Sequence, residues 1–130
     1  MLIKWTEDLS VGHETLNQEH QKWIAILNDF YQGLADGSSK EKLTGLIKGL
    51  LDYAKVHFSN EEEYMRSIHF PGLERHQQEH GEFIEKATEF YEKFSTGKML
   101  LSIEVTNFIK NWISNHIKAE DKQYARHAGL

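Results

Sequence analysis

The strongest constraint on this chain is a repeated spacing of large residues at alternating steps of four and three. Over residues 14–36 it runs Leu16, His20, Trp23, Leu27, Phe30 and Leu34, and over 40–68 it runs Leu43, Ile47, Leu50, Ala54, His57, Glu61, Tyr64 and Ile68. Residues 73–94 continue with Leu73, His76, His80, Phe83, Ala87, Phe90 and Phe94, and residues 99–118 with Leu101, Val105, Phe108, Ile109, Trp112 and His116. A helix turns about 100° per residue, so each series is one face of a helix. A single helix cannot bury such a face alone. Four of similar length joined by short turns predict an all-α fold, an antiparallel up-down-up-down four-helix bundle. The first dozen residues, with Trp5 and Leu9, form an N-terminal arm over the bundle, and a short polar C-terminal tail follows.

The breaks between the series support this division. Gly37 suits the left-handed position past the end of the first helix, and Ser38 with Glu41 three residues on reads as a capping box opening the second. Pro71 disfavours helical geometry in the residue before it, and Gly72 permits a sharp turn. The chain of 130 residues fits one domain over 1–130, and its three valines and single proline favour helix over strand.

Composition excludes several functions. A net charge of −5 with Lys and Arg scattered among acids argues against nucleic acid or an anionic membrane as partner. Zero cysteines remove disulfides, thiolate nucleophiles, iron–sulfur clusters and Cys-type zinc sites, which leaves histidine and carboxylate as the strong ligands. No apolar run approaches the ~18 residues of a membrane span, and the start lacks a signal-peptide core. The expectation is a cytoplasmic protein.

Within this frame the polar members of the stripes stand out. His20, His57, Glu61, His76, His80 and His116 occupy positions that periodicity assigns to the core. Each buried donor or acceptor left unpaired costs about 1–3 kcal/mol, a large share of the ~5–15 kcal/mol that keeps a domain folded. A metal centre relieves them together. His57 with Glu61 and His76 with His80 are i,i+4 pairs, each able to present two ligands to one cavity. In an antiparallel bundle the early His20 and His76 lie level with the late His57 and His116, so four helices supply ligands at one depth.

The last ligand is not fixed by periodicity. Glu120, four residues after His116, shares its face, whereas Asp121 points about 140° away on a regular helix. Geometry alone prefers Glu120, and Asp121 reaches the cavity only if the fourth helix loosens or bulges after Ile117.

The pattern His20; His57-Phe58-Ser59-Asn60-Glu61; His76-Gln77-Gln78-Glu79-His80; His116-Ile117-Lys118-Ala119-Glu120-Asp121 resembles the hemerythrins, in particular the single-domain bacterial type, over almost the whole chain. The resemblance implies Asp121 as the last ligand. It also implies two iron ions joined by a bridging oxo or hydroxo group, with His76, His80 and His116 on one iron, His20 and His57 on the other, and Glu61 and Asp121 spanning both. Two six-coordinate irons offer twelve positions, of which this set and the bridge fill eleven. The single vacancy, on the two-histidine iron, takes O2, and the resemblance places Trp112, Ile113 and Ile117 around it; ordinary core packing accounts for the same three residues.

The implied function is reversible O2 binding for delivery, storage or sensing, without catalytic turnover, with an electron donor as a further partner. The alternative is a di-iron redox enzyme on the same ligands, an oxidase, a peroxidase or a nitric-oxide-processing protein. Di-iron oxidases and ferritins use Glu-x-x-His pairs, and this chain contains none. A bundle holding structural zinc is a second alternative.

Other residues receive plainer readings. His13, His69 and His127 are surface histidines, Glu62 and Glu63 belong to a solvated face, and Tyr53, Tyr64, Met65 and Met99 pack. Asn17 stands where related sequences carry an acid, a change that bears on hydrogen bonding near His20.

Overall fold

The computed structural model describes residues 2–97 and 103–130, with the side chains of 103–105 left aside. Four helices form the bundle: α1 (Glu14–Ala35), α2 (Lys40–Ser67), α3 (Leu73–Ser95) and α4 (Ile103–Asn115). The start expected for the fourth helix, with Leu101 and Met99, lies outside the described residues. Among those described there is no strand.

The stripes become the core. Trp23, Leu27, Phe30, Ile47, Leu50, Ala54, Phe83, Ile109 and Ile113 are fully buried. Trp23 sits at the centre, edge-on to both Phe58 and Phe83, and its indole N–H donates to the Leu50 carbonyl at 3.3 Å, which satisfies the one polar atom it brings inside.

The helix ends follow from local chemistry. Past α1, Gly37 adopts φ +70°, and the N–H groups of Ser38 and Gly37 turn back to the carbonyls of Gly33 and Leu34 at 2.9 and 3.3 Å, closing the last turn. The capping residue of α2 is Ser39, not Ser38: its hydroxyl accepts from the Lys42 N–H at 3.2 Å. The same closing turn ends α2, where Phe70 and His69 bond back to Met65 and Arg66, but here the left-handed residue is His69, at φ 54°. At the start of α1, His13 caps with its ring, Nδ1 accepting from the Leu16 N–H at 3.2 Å.

The arm is tied down by two asparagines. Asn28 accepts from the N–H groups of Leu2 and Ile3 at 2.9 Å and donates to the Ile3 carbonyl at 2.8 Å. Asn17 accepts from Val11 and donates to Ser10, both at 2.9 Å, so its amide serves the arm and not His20.

The C-terminus departs from expectation. After Asn115 the chain enters a π-helical turn, His116–Asp121, and then α5 (Lys122–His127), so the segment expected as a polar tail is largely helical. It also contributes to the core: Tyr124 and Ala125 bury against Val11, Leu16 and Met65 in a second apolar cluster.

Candidate metal centre

The described residues contain eight buried polar or charged side chains, and seven of them are His20, His57, Glu61, His76, His80, His116 and Asp121. The eighth is Thr106. The bundle therefore brings together the whole set expected from the sequence, at one end of its interior. Glu61 and Asp121 have no exposed surface at all. Two carboxylates so placed are strongly unfavourable unless positive charge accompanies them.

The π-helical turn explains Asp121. Each turn of such a helix takes up one more residue, so residues five apart share a face. The turn begins at His116 itself, and Asp121 swings in until its Oδ1 lies 3.0 Å from His116 Nε2 and 2.8 Å from His76 Nε2. Glu120 turns outward to Arg75, 3.6 Å away. The preference of a regular helix for Glu120 is overturned by this local change of pitch.

Each carboxylate divides its two oxygens between two groups of histidines. Glu61 Oε2 lies 3.1 Å from His20 Nε2 and 3.3 Å from His57 Nε2, while Oε1 lies 3.1 Å from His80 Nε2 and 3.8 Å from His76 Nε2. Asp121 does likewise, with Oδ2 3.2 Å from His20 and Oδ1 facing His76 and His116. Two sets of donors result, five nitrogens and oxygens from Glu61, His76, His80, His116 and Asp121 in one, and His20, His57 and Glu61 in the other, with all ligand atoms of a set within 4.8 Å of one another.

The ring planes and tautomers are fixed from behind. His57 Nδ1 donates to Glu19 at 2.7 Å and His80 Nδ1 to Glu62 at 2.8 Å, and His116 Nδ1 lies 3.4 Å from Glu79. The proton on Nδ1 leaves the lone pair on Nε2, pointing inward. Phe58 stacks on His80 with centroids 3.8 Å apart, and Trp112 on His116 at 4.4 Å. Sequence reasoning missed Glu19, Glu62 and Glu79. Glu62 was expected on a solvated face, yet it is half-buried; its spacing from His80 on another helix leaves no signal along the chain.

The donor set fits a metal pair. His80 Nε2 and His116 Nε2 approach to 3.1 Å, two lone pairs aimed at one another, which is repulsive unless a cation lies between them and the carboxylates. His57 Nε2, Glu61 Oε1 and Asp121 Oδ2, which face the cavity, have no hydrogen-bond partner although fully buried. Protonation tells the same story. Burial opposes charge on His57, yet Glu61 and Glu19 lift it to about 10; burial likewise opposes charge on His76, which Asp121 and Glu61 lift to about 10. Burial pushes Glu61 and Asp121 toward the neutral form, and the imidazoles nevertheless hold both carboxyls well below the usual range. The cavity calls for cations, and where metal is lacking it takes protons.

Tyr124, three residues past Asp121, completes the site from α5. Its buried hydroxyl donates to Glu61 Oε2 at 3.0 Å, and burial followed by the charges of Glu61 and Asp121 holds it well above the usual phenol range. Sequence reading passed over this residue because it lay beyond the expected end of the fourth helix. The remaining histidines stay apart: His13 caps α1, His69 is exposed, and His127 is exposed and donates to the Ile68 carbonyl at 3.0 Å. Tyr53 lies under Lys22, and Tyr64 packs edge-on to His13 and Tyr124.

Fold and site together define a class: four-helix bundles with a metal-binding pocket rich in histidine and poor in carboxylate. The model of the family described as "Hemerythrin HHE cation binding domain" matches residues 11–128. A bacteriohemerythrin of Clostridium acetobutylicum is 32% identical over 129 residues, covering 95% of this chain and 98% of that one. A bacteriohemerythrin of Stenotrophomonas maltophilia is 31% identical, covering 95% and 80%. A wild-type hemerythrin crystal structure superposes with a TM-score of 0.93 over 100% of both chains at 23% identity, which speaks to the fold. The chain belongs to the hemerythrin family, and O2 binding at a non-haem di-iron site is its function.

Proposed function

We propose that His76, His80, His116, Glu61 Oε1 and Asp121 Oδ1 hold one iron, that His20, His57, Glu61 Oε2 and Asp121 Oδ2 hold a second, and that O2 enters the one position left open, on the second. The observation that carries this reading is the division of both carboxylates, one oxygen to each group of histidines. Five nitrogens and two spanning carboxylates would suit two iron ions together with a small oxo or hydroxo group between them. When bound, the irons supply the electrons that O2 accepts reversibly.

The protein's own residues set the terms of that exchange. Glu19, Glu62 and Glu79 keep the Nδ1 protons of His57, His80 and His116 on the outer side, so each ring offers Nε2 inward. Ile113 and Ile117 are fully buried, and Trp112 stacks on His116 and lies edge-on to Trp23, whose ring in turn tilts against His57 of the two-histidine set. We assign Trp112, Ile113 and Ile117 to the wall of the O2 pocket, where their largely apolar surfaces limit water and supply no acidic group to drive O2 on to further reduction. This favours a carrier, for delivery, storage or sensing, over an enzyme, and leaves an electron donor to restore reduced iron after oxidation. No described helix is long and apolar enough to cross a membrane, and the cysteine-free chain suits the reducing cytoplasm, where we place it.

An anaerobic-to-aerobic optical titration of iron-loaded protein tests the reading. Absorption that appears with O2 and disappears under vacuum over repeated cycles is expected. Immediate conversion to the diferric form with release of peroxide would overturn it in favour of the redox enzyme.

A further inference from the structure

Among the described residues, outside the ligand set and the carboxylates behind it, the hydroxyl of Tyr124 hydrogen-bonds to the centre. It is fully buried, and its partner is one particular oxygen. Of the two oxygens of Glu61, Oε2 receives the phenol at 3.0 Å, and Oε2 is also the one beside His20 and His57. Oε1, which faces His76 and His80, has no hydrogen-bond donor. The phenol therefore acts on one half of a spanning carboxylate, the half serving the two-histidine set.

The placement follows from the π-helical turn. By consuming an extra residue between His116 and Asp121, it rotates α5 so that Tyr124 faces inward, where Met65, Leu16 and Val11 pack its ring and Tyr64 and Phe70 meet it edge-on at 5.8 and 6.5 Å. The ring is clamped, so the hydroxyl has one direction in which to donate. A hydrogen bond to a carboxylate withdraws electron density from it, and a weaker oxygen donor stabilises ferrous iron relative to ferric.

We infer that Tyr124 is a positioning residue that tunes the two-histidine iron, holding it in the ferrous state through its hydrogen bond to Glu61 Oε2 and so slowing irreversible oxidation. The inference rests on the di-iron reading above. A hydrogen bond to a charged group, felt mostly by one oxidation state, shifts the equilibrium between the two by about tenfold or more.

The test compares iron-loaded wild type, Tyr124→Phe and Tyr64→Phe, with iron content and midpoint potential measured on each and autoxidation followed in air. Tyr124→Phe keeps the ring and removes the donor. Two irons per chain, a potential lowered by about 59 mV, the equivalent of tenfold for one electron, and autoxidation several-fold faster are expected. Tyr64→Phe changes a packed neighbour without a bond to Glu61 and is expected to match wild type. Should Tyr124→Phe fail to fold, 3-fluorotyrosine placed at position 124 strengthens the donor and is expected to raise the potential. An unchanged potential in an iron-replete Tyr124→Phe protein, or in the fluorotyrosine protein, would overturn the inference alone. Wild type that takes up no iron would overturn the reading beneath it as well.

Discussion

The two ends of the bundle interior are built on one rhythm and filled with opposite chemistry. Toward the α1–α2 turn, Leu27, Phe30, Ile47 and Leu50 are fully buried among other hydrocarbon, and burial of apolar surface is enough to hold them. Toward the other end, the same helix faces carry His20, His57, Glu61, His76, His80 and His116, equally buried, with no hydrocarbon gain to offset the loss of water. Helical periodicity specifies which side chains face inward and says nothing of what they meet there. One end is complete when the helices pack. The other is complete only when cations join it.

The largest effect is expected at the ligand end. His76→Ala removes a nitrogen 2.8 Å from Asp121 and leaves that fully buried carboxylate short of a partner. Iron content should fall from two per chain to one or none, and the fold should loosen with it, because metal binding and folding are coupled. Unchanged iron and an unchanged melting temperature in this variant would erase the distinction between the two ends.

A change at the apolar end should behave differently. Leu50→Ala truncates a fully buried side chain and opens a cavity, at a cost of about 2–5 kcal/mol. Two irons per chain should still bind once the variant is folded. Loss of iron stoichiometry measured below the unfolding transition would show that the two ends are not separable.

The smallest effect concerns protons. In metal-free protein, His57 and His76 are lifted to about 10 by the carboxylates they face, so their contribution is complete below the unfolded value of about 6.5 and is lost as pH rises through about 10. Glu61 and Asp121 are lowered, so theirs is present above about pH 4–4.5 and lost on further acidification. The metal-free protein should melt highest near about pH 5–6.5 and progressively lower as pH rises toward 10, where both histidines lose their protons. The loaded protein should run the other way at the acid side, losing iron as its imidazoles take up protons. Thermal melts across pH on both forms check this, and a flat profile for the metal-free protein would count against protons standing in for metal.

The contrast between the ends also accounts for what could be read from the chain. Helix faces repeat along the sequence, so the bundle and six of the seven grouped side chains were legible. Asp121 was not legible from periodicity, because a regular helix turns it away and only the change of pitch between His116 and Asp121 brings it back; the family resemblance named it. Tyr124 was hidden for the same reason. Glu19, Glu62 and Glu79 act across helices, where neither spacing nor hydrophobicity marks them. Ser39 in place of Ser38, and Asn17 serving the arm instead of His20, are shifts of partner that only three-dimensional placement decides.

The central claim is an uneven pair of irons, one enclosed by three histidines and one held by two with a position to spare. Mössbauer spectroscopy of iron-57-loaded protein before and after oxygenation measures it most directly. The account predicts two irons per chain that become clearly inequivalent in equal amounts when O2 binds; a single iron per chain, or two that remain alike with O2 bound, would contradict it.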